Sequence, residues 1–190
     1  MICKVFDDWF DKRFVYDLSD RISFKLNCFH FRNIANISTW PYGAKGSHRL
    51  MGCTIFKRES FNRTSVLHEE APTFFNIFER IEKNLNIDYY LKSIDINIQH
   101  SGCHGTSHVD GGDEDQTIML MSNCEWNSGW GGKFQMLNNS GDVIEEHDYV
   151  PGRVIVFPGN IPHRGLGADE KYPYIYRQTV VFRVQMINFV

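Results

Sequence analysis

A histidine and an aspartate one residue apart, His108 and Asp110, sit in the glycine-flanked segment Ser107-His108-Val109-Asp110-Gly111, and His163 ends the run Phe157-Pro158-Gly159-Asn160-Ile161-Pro162-His163. Two neutral imidazoles and one carboxylate meeting on one side of an ion form a facial triad, which leaves adjacent coordination positions open and suits Fe(II) oxygenase chemistry. Each residue also has an ordinary explanation. An aspartate before Gly111-Gly112 is a common turn residue. His104, four residues before His108, offers a competing imidazole, although Gly102 and Gly105 argue against the helix that would put both on one face. His30, His48, His68, His100 and His147 read as surface or hydrogen-bonded residues.

The elements that must bring these groups together follow from the period of the apolar residues. Phe6, Trp9, Phe10, Phe14 and Leu18 recur at helical spacing behind acidic residues, which predicts a helix from about Asp7 to Asp20. Pro72 is well placed at a first helical position, and Phe74, Phe75, Ile77, Phe78, Ile81 and Leu85 give a second helix ending near 84–86. Ser23 to Phe31 alternates with period two, Cys53 to Lys57 reads as a short strand, and residues 40–46 read as a loop. Beyond the second helix the chain turns to strands: Lys92–Gln99, Gln116–Asn123, Lys133–Leu137, Val143–Glu146, Arg153–Phe157 and Arg177–Met186. Residues 163–173 read as a surface loop beside the site. Two helices followed by such strands predict a mainly β sandwich or jelly roll with the helices packed on one outer face.

Composition bounds the function classes. The 190 residues carry a net charge of −3, without the global basic field usual in nucleic-acid binders. A chain of this length is expected to be one domain that buries roughly 70% of its unfolded surface. The amino terminus lacks the apolar core of a signal peptide and no apolar run reaches membrane-spanning length, so a soluble cytoplasmic protein without a membrane partner is expected. The five cysteines, Cys3, Cys28, Cys53, Cys103 and Cys124, are scattered and odd in number, which favours reduced thiols. Cys103 is a candidate ligand or redox-sensitive group by its nearness to His108, with a small buried hydrophobe as the commoner role.

Strand alternation tests the metal reading independently of the motif. Between Ile94 and Gln99 the isoleucines share one face and Asp95, Asn97 and Gln99 the other. In the last strand Arg177, Thr179, Val181 and Arg183 share a face. An arginine fork beside a hydroxyl is a natural carboxylate receptor.

Taken in order, His108-Val109-Asp110, Thr117 to Trp126, Gly131-Gly132-Lys133-Phe134, Pro151 to Phe157, His163 and Arg177-Gln178-Thr179 resemble the Fe(II)/2-oxoglutarate-dependent dioxygenases, and within them the prolyl 4-hydroxylase branch. The resemblance runs from Ile94 to Val184. It implies a double-stranded β-helix, a cupin-like jelly roll, with a helical and strand buttress over about 1–90 and the core over about 91–190. It further implies that His108, Asp110 and His163 hold Fe(II), and that Arg177 and Thr179 bind the distal carboxylate of the cosubstrate 2-oxoglutarate. Gln99, where many relatives carry a tyrosine, and Asn97 beside it become secondary cosubstrate contacts. Met121 stands where animal prolyl hydroxylases often have tyrosine, implying a less polar pocket floor. The implied reaction consumes O2 and hydroxylates a substrate C–H bond while 2-oxoglutarate becomes succinate and CO2.

Two other readings stand beside this one: a nucleic-acid-directed demethylase of the same superfamily, and a non-catalytic β-helix binding module. Arg183, six residues after Arg177, resembles the second arginine of such demethylases, and reads otherwise as a strand-edge arginine in a surface ion pair. Trp126 and Trp130 would line a substrate groove or seal the end of the barrel. Asp113-Glu114-Asp115 reads as a solvated loop. Substrate, whether peptide, protein or small molecule, and oligomeric state have no code in the sequence.

Overall fold

A computed structural model describes residues 1–31, 50–60 and 62–187. The expected loop at 40–46 and His48 lie outside them. The chain opens with strand β1 (Lys4–Phe6) and helix α1 (Lys12–Phe24), then β2 (His30–Phe31), β3 (Leu50–Ser60), β4 (Arg63–Leu67) and helix α2 (Ala71–Leu85). Strands β5 (Tyr89–His100), β6 (Asp115–Met121), β7 (Phe134–Leu137), β8 (Val143–His147), β9 (Val154–Pro158), β10 (His163–Gly165) and β11 (Tyr176–Met186) follow.

The first helix starts later than its periodicity suggests. Residues 4–6 pair with 154–156 of β9, and the Asp11 carboxylate accepts a hydrogen bond from the Phe14 amide at 2.8 Å, capping the helix there. Asp7, which reads as a helix-dipole charge, instead pairs with Arg153 at 2.8 Å, and the Phe6 and Trp9 rings stack at 4.2 Å. Ser23 and Phe24 end the helix rather than begin a strand, so only His30 and Phe31 of the expected alternating segment pair, with β3. The second helix is as expected: Pro72 lies in its first turn, and Asn86 at φ 53 closes it, its amide donating to the Glu82 and Lys83 carbonyls.

Among the described residues the strands form a larger sheet ordered β1-β9-β6-β11-β5-β3-β2, with β4 on β3, and a smaller sheet ordered β10-β7-β8. Period-two alternation divides the core between them. On the larger sheet Ile94, Ile96, Ile118, Leu120, Val154, Val156, Val180 and Phe182 face α1 and α2, burying against Leu18, Ile22, Phe74 and Phe78. The intervening residues Met119, Met121, Ile155, Phe157 and Val181 face inward with Phe134 and Met136 of the smaller sheet. This is the jelly roll with helices on one face that the sequence predicts. The two sheet edges meet where Glu145 on β8 accepts the amides of Ile2, at 2.5 Å, and Cys3. His147 adds its Nε2 to Glu145 at 3.0 Å, so the Cys3, Glu145 and His147 cluster serves as a seam between the sheets.

One cysteine expectation is corrected. The β2–β3 pairing sets His30 opposite Gly52, which brings Cys28 and Cys53 to a Cα–Cα distance of 5.3 Å and joins them in a disulfide across 25 residues. Cys3, Cys103 and Cys124 are not joined in disulfides. Among the described residues no helix is long and apolar enough to cross a membrane.

Candidate metal centre

His108 and His163 are brought together by backbone pairing. The His108 amide donates to the His163 carbonyl at 3.1 Å and the reverse bond is 2.9 Å, while the amides of Asp110 and Gly111 both donate to the Gly159 carbonyl. The H-x-D segment thus runs as a short antiparallel partner of residues 159–163, and the imidazole centroids lie 4.5 Å apart. Gly111 is required by close approach, since a Cβ there would come within 2.1 Å of an Asp115 carboxylate oxygen.

The ligand atoms converge. His108 Nε2 is 3.7 Å from Asp110 Oδ1 and His163 Nε2 is 3.4 Å from Asp110 Oδ2, so one potential ligand atom from each residue lies within 4.8 Å of the others. Each Nδ1 lies 2.9 Å from a backbone carbonyl, that of Thr106 for His108 and that of Ile161 for His163. With Nδ1–H donating to a carbonyl, the Nε2 lone pair faces the carboxylate, which is how a metal-ligating histidine is usually oriented. Protein desolvation and then the neighbouring His163 hold the His108 pKa below the ordinary imidazole value, keeping it neutral. Burial works against ionisation of Asp110, but the neighbouring His163 and the charge of Arg183 outweigh it and hold the carboxylate well below its usual range. Two neutral imidazoles and a carboxylate are the donor set for a first-row divalent ion, so the residues fit Fe(II). Cys103 and His104 lie outside this group.

The three residues open into a cavity of about 680 Å³, also lined by Asn97, Gln99, Arg177, Thr179 and Arg183. Arg177 is buried, with 3% exposure, and its polar contacts are all uncharged. Its Nε donates to the Gly132 carbonyl at 3.0 Å, its Nη1 to Gln99 Oε1 at 2.8 Å, and its Nη2 lies 3.5 Å from Met119 Sδ. The Tyr149 ring lies 5.4 Å from the guanidinium. No carboxylate pairs with Arg177 among the described residues, and burial pushes its pKa down to about 10. Room for the fork depends on Gly165, where a Cβ would stand 2.8 Å from Nη1. A buried cation facing a cavity without a counter-charge is a receptor for an anion.

Gln99 lines the cavity and is also a hydrogen-bond partner of Arg177. It bridges Arg177 to the Gly165 carbonyl, donating through Nε2 at 2.8 Å, and so orients the guanidinium. Asn97 and Thr179 are cross-strand partners and both line the cavity. Met121 does not form the pocket floor: it is fully buried in the inner core, with its Sδ 3.1 Å from the Val150 amide, and Met119 lines the cavity in its place.

Arg183 corrects the surface ion-pair reading. Strand β11 lies between β6 and β5, so Arg183 is central, and it donates to both Asp110 and Asp95. The region 163–173 is less of a surface loop than expected, since 163–165 form β10 and Ala168 is buried in a bridge to Gly131. Trp126 and Trp130 pack edge to face at 5.6 Å, with Trp126 against Tyr149 at 4.3 Å, and neither lines the cavity. The acidic run is tied down: Asp115 pairs with Lys92, Asp113 accepts from Asn160 and Glu114 from Gln185. Thr117, which the sequence marks only as the start of a segment of the resemblance, donates through Oγ1 to Asp110 Oδ2 at 2.8 Å, and its alternation with Met119 places it on the inner face. Tyr149 lies in a segment without periodicity and gave no signal.

Comparison with solved structures identifies the architecture. A Pseudomonas putida prolyl-4-hydroxylase superposes with a TM-score of 0.60 at 16% identity, covering 98% of this chain and 94% of that one. The fold is that of the prolyl hydroxylases. A Trichoplax adhaerens prolyl hydroxylase, solved with a peptide fragment of a hypoxia inducible factor oxygen degradation domain, gives 0.64 at 12% identity over 97% of this chain and 84% of that one. The collagen prolyl hydroxylase of Paramecium bursaria Chlorella virus-1, solved as a 2-oxoglutarate complex, gives 0.57 at 12% identity over 98% and 97%. No protein-family model and no curated protein sequence matches the chain. The prolyl hydroxylase fold is therefore shared at a sequence distance where the argument for chemistry rests on the residues themselves.

Proposed function

We propose that this chain is an Fe(II)- and 2-oxoglutarate-dependent oxygenase that hydroxylates a substrate C–H bond. The balanced reaction takes 2-oxoglutarate, O2 and R–H to succinate, CO2 and R–OH. The observation that carries the reading is the pairing, in one cavity, of the His108, Asp110 and His163 donor set with a buried Arg177 that has only uncharged partners. Either feature alone is common, but together they match a molecule with a metal-chelating end and a distal carboxylate.

In this reading His108, Asp110 and His163 hold the ion, and the carbonyls of Thr106 and Ile161 fix the ring orientations. Bound iron supplies the redox chemistry that activates O2. Arg177 receives the distal carboxylate, Gln99 keeps the guanidinium aimed, and Thr179 and Asn97 offer further hydrogen bonds from the same wall. Phe134 and Phe157, which pack on the His163 ring at 5.8 and 4.7 Å, limit water on that side. A prolyl peptide is the first substrate class to test, because the structural neighbours are prolyl hydroxylases and one was solved with a peptide. The demethylase alternative loses its main support: Arg183 spends its charge on two carboxylates and has none left for a phosphate.

The test is succinate release from 2-oxoglutarate in the presence of Fe(II) and O2, screened against prolyl peptides, free amino acids and methylated oligonucleotides. His108→Ala and Asp110→Ala are expected to abolish turnover. Wild-type succinate production by either variant would refute the assignment, and silence of the wild type with intact metal binding would favour a binding module.

A further inference from the structure

A single hydrogen-bonded array crosses four adjacent strands beneath the candidate metal centre. On β6, Thr117 Oγ1 donates to Asp110 Oδ2 at 2.8 Å. On β11, Arg183 directs Nε and Nη2 to Asp110 Oδ1 at 3.0 and 2.9 Å, and Nη1 to Asp95 Oδ2 on β5 at 2.7 Å. Asp95 is held in turn by Ser93 Oγ at 3.0 Å and by Thr54 Oγ1 on β3 at 2.8 Å. The strand register stacks these residues in a band, with Arg183 opposite both Thr117 and Ser93, and Thr54 opposite Asp95. The side chains of Asp95 and Asp110 are each only 5% exposed.

Resting on the metal site argued above, we propose that Arg183 is a positioning residue for Asp110, and that Thr54 and Asp95 hold Arg183 for that task. A carboxylate that ligates a metal must be fixed in direction as well as charged, and its outer partners do the fixing. The planar guanidinium can satisfy Asp110 and Asp95 at once with a rigid spread of donors, whereas an ammonium is a point charge without that geometry. Loss of Asp95 leaves the guanidinium free to turn. Asp110 then keeps its charge but not its direction.

The experiment measures Co(II) binding to the intact chain, with the visible d–d absorption reporting coordination, for the wild type, Asp95→Asn, Arg183→Lys and Thr54→Val. Asp95→Asn and Arg183→Lys are expected to weaken binding about ten- to a hundred-fold and to change the Co(II) spectrum. Thr54→Val shifts both in the same direction by less, and carries the test if a charge variant fails to fold. Unchanged affinity and spectrum in the folded variants, whatever their melting temperatures, would reduce the array to a structural role and overturn the proposal. Failure of the folded wild type to bind Co(II) at all would instead sink the metal site itself, and the array with it.

Discussion

Arg177 and Arg183 project from the same face of one strand, yet their electrostatic situations are opposite. Asp95 and Asp110 offset Arg183, while Arg177 is buried among a carbonyl, an amide oxygen and a thioether. Burying a cation without a counter-ion costs stability, and a bound carboxylate recovers it. Arg177→Met should therefore weaken 2-oxoglutarate binding by about thirty-fold or more, the equivalent of about 2 kcal/mol for a truncated buried charge pair. The melting temperature of the ligand-free protein should stay level or rise. Calorimetric titration and thermal unfolding read the two effects, and lost binding accompanied by a large drop in melting temperature would mark Arg177 as structural instead. His108 carries a pH consequence. Its pKa is lowered in the fold from an ordinary value of 6.5, so the unfolded chain binds a proton before the native one does. Stability from this group is fully present above about pH 6.5 and is lost as the pH falls below it. Asp110, also lowered, adds a further loss below an ordinary value of 3.8. Denaturant midpoints of wild type and His108→Ala between pH 7 and 5 should converge on acidification, and parallel curves would contradict this.

At the scale of elements, the sheet face that carries the site is held by its opposite face. Phe182 is fully buried, stacks on Phe78 of α2 at 5.6 Å, and precedes Arg183 by one residue. Phe182→Ala should cost about 3–5 kcal/mol, measured by denaturant unfolding; a loss below about 1 kcal/mol would show that α2 does not brace this strand. The alternation in β5 and β11 placed Asn97, Arg177 and Thr179 on their sheet faces from the sequence, because period two is local information, while the grouping of His108, Asp110 and His163 came from the family resemblance. What was not legible depended on distant partners. Residues 4–6 read as the approach to a helix because β9, which they pair with, lies about 150 residues downstream. Arg183 read as an edge residue because its strand's place between β6 and β5 is a matter of topology. The Cys28–Cys53 bridge was missed for the same reason, since their nearness comes from the β2–β3 register. Thiol titration of protein purified without reductant should find three reactive thiols on denaturation, and five would contradict the bridge.

At the scale of the molecule, two helices brace one face of the larger sheet while the smaller sheet closes over the other, leaving a cavity that holds both the His–Asp–His donors and an arginine with no carboxylate partner among the described residues. In the proposed function one small molecule bridges those two features. Linkage makes the claim measurable without knowing the substrate, because a ligand that touches both the ion and Arg177 must couple their binding reciprocally. Anaerobic calorimetric titration of 2-oxoglutarate into the protein with and without Fe(II) tests this most directly. The account predicts tight binding only with the metal present, lost in both His108→Ala and Arg177→Met. Binding of equal strength with and without Fe(II), or no binding to the folded iron-loaded wild type, would contradict it.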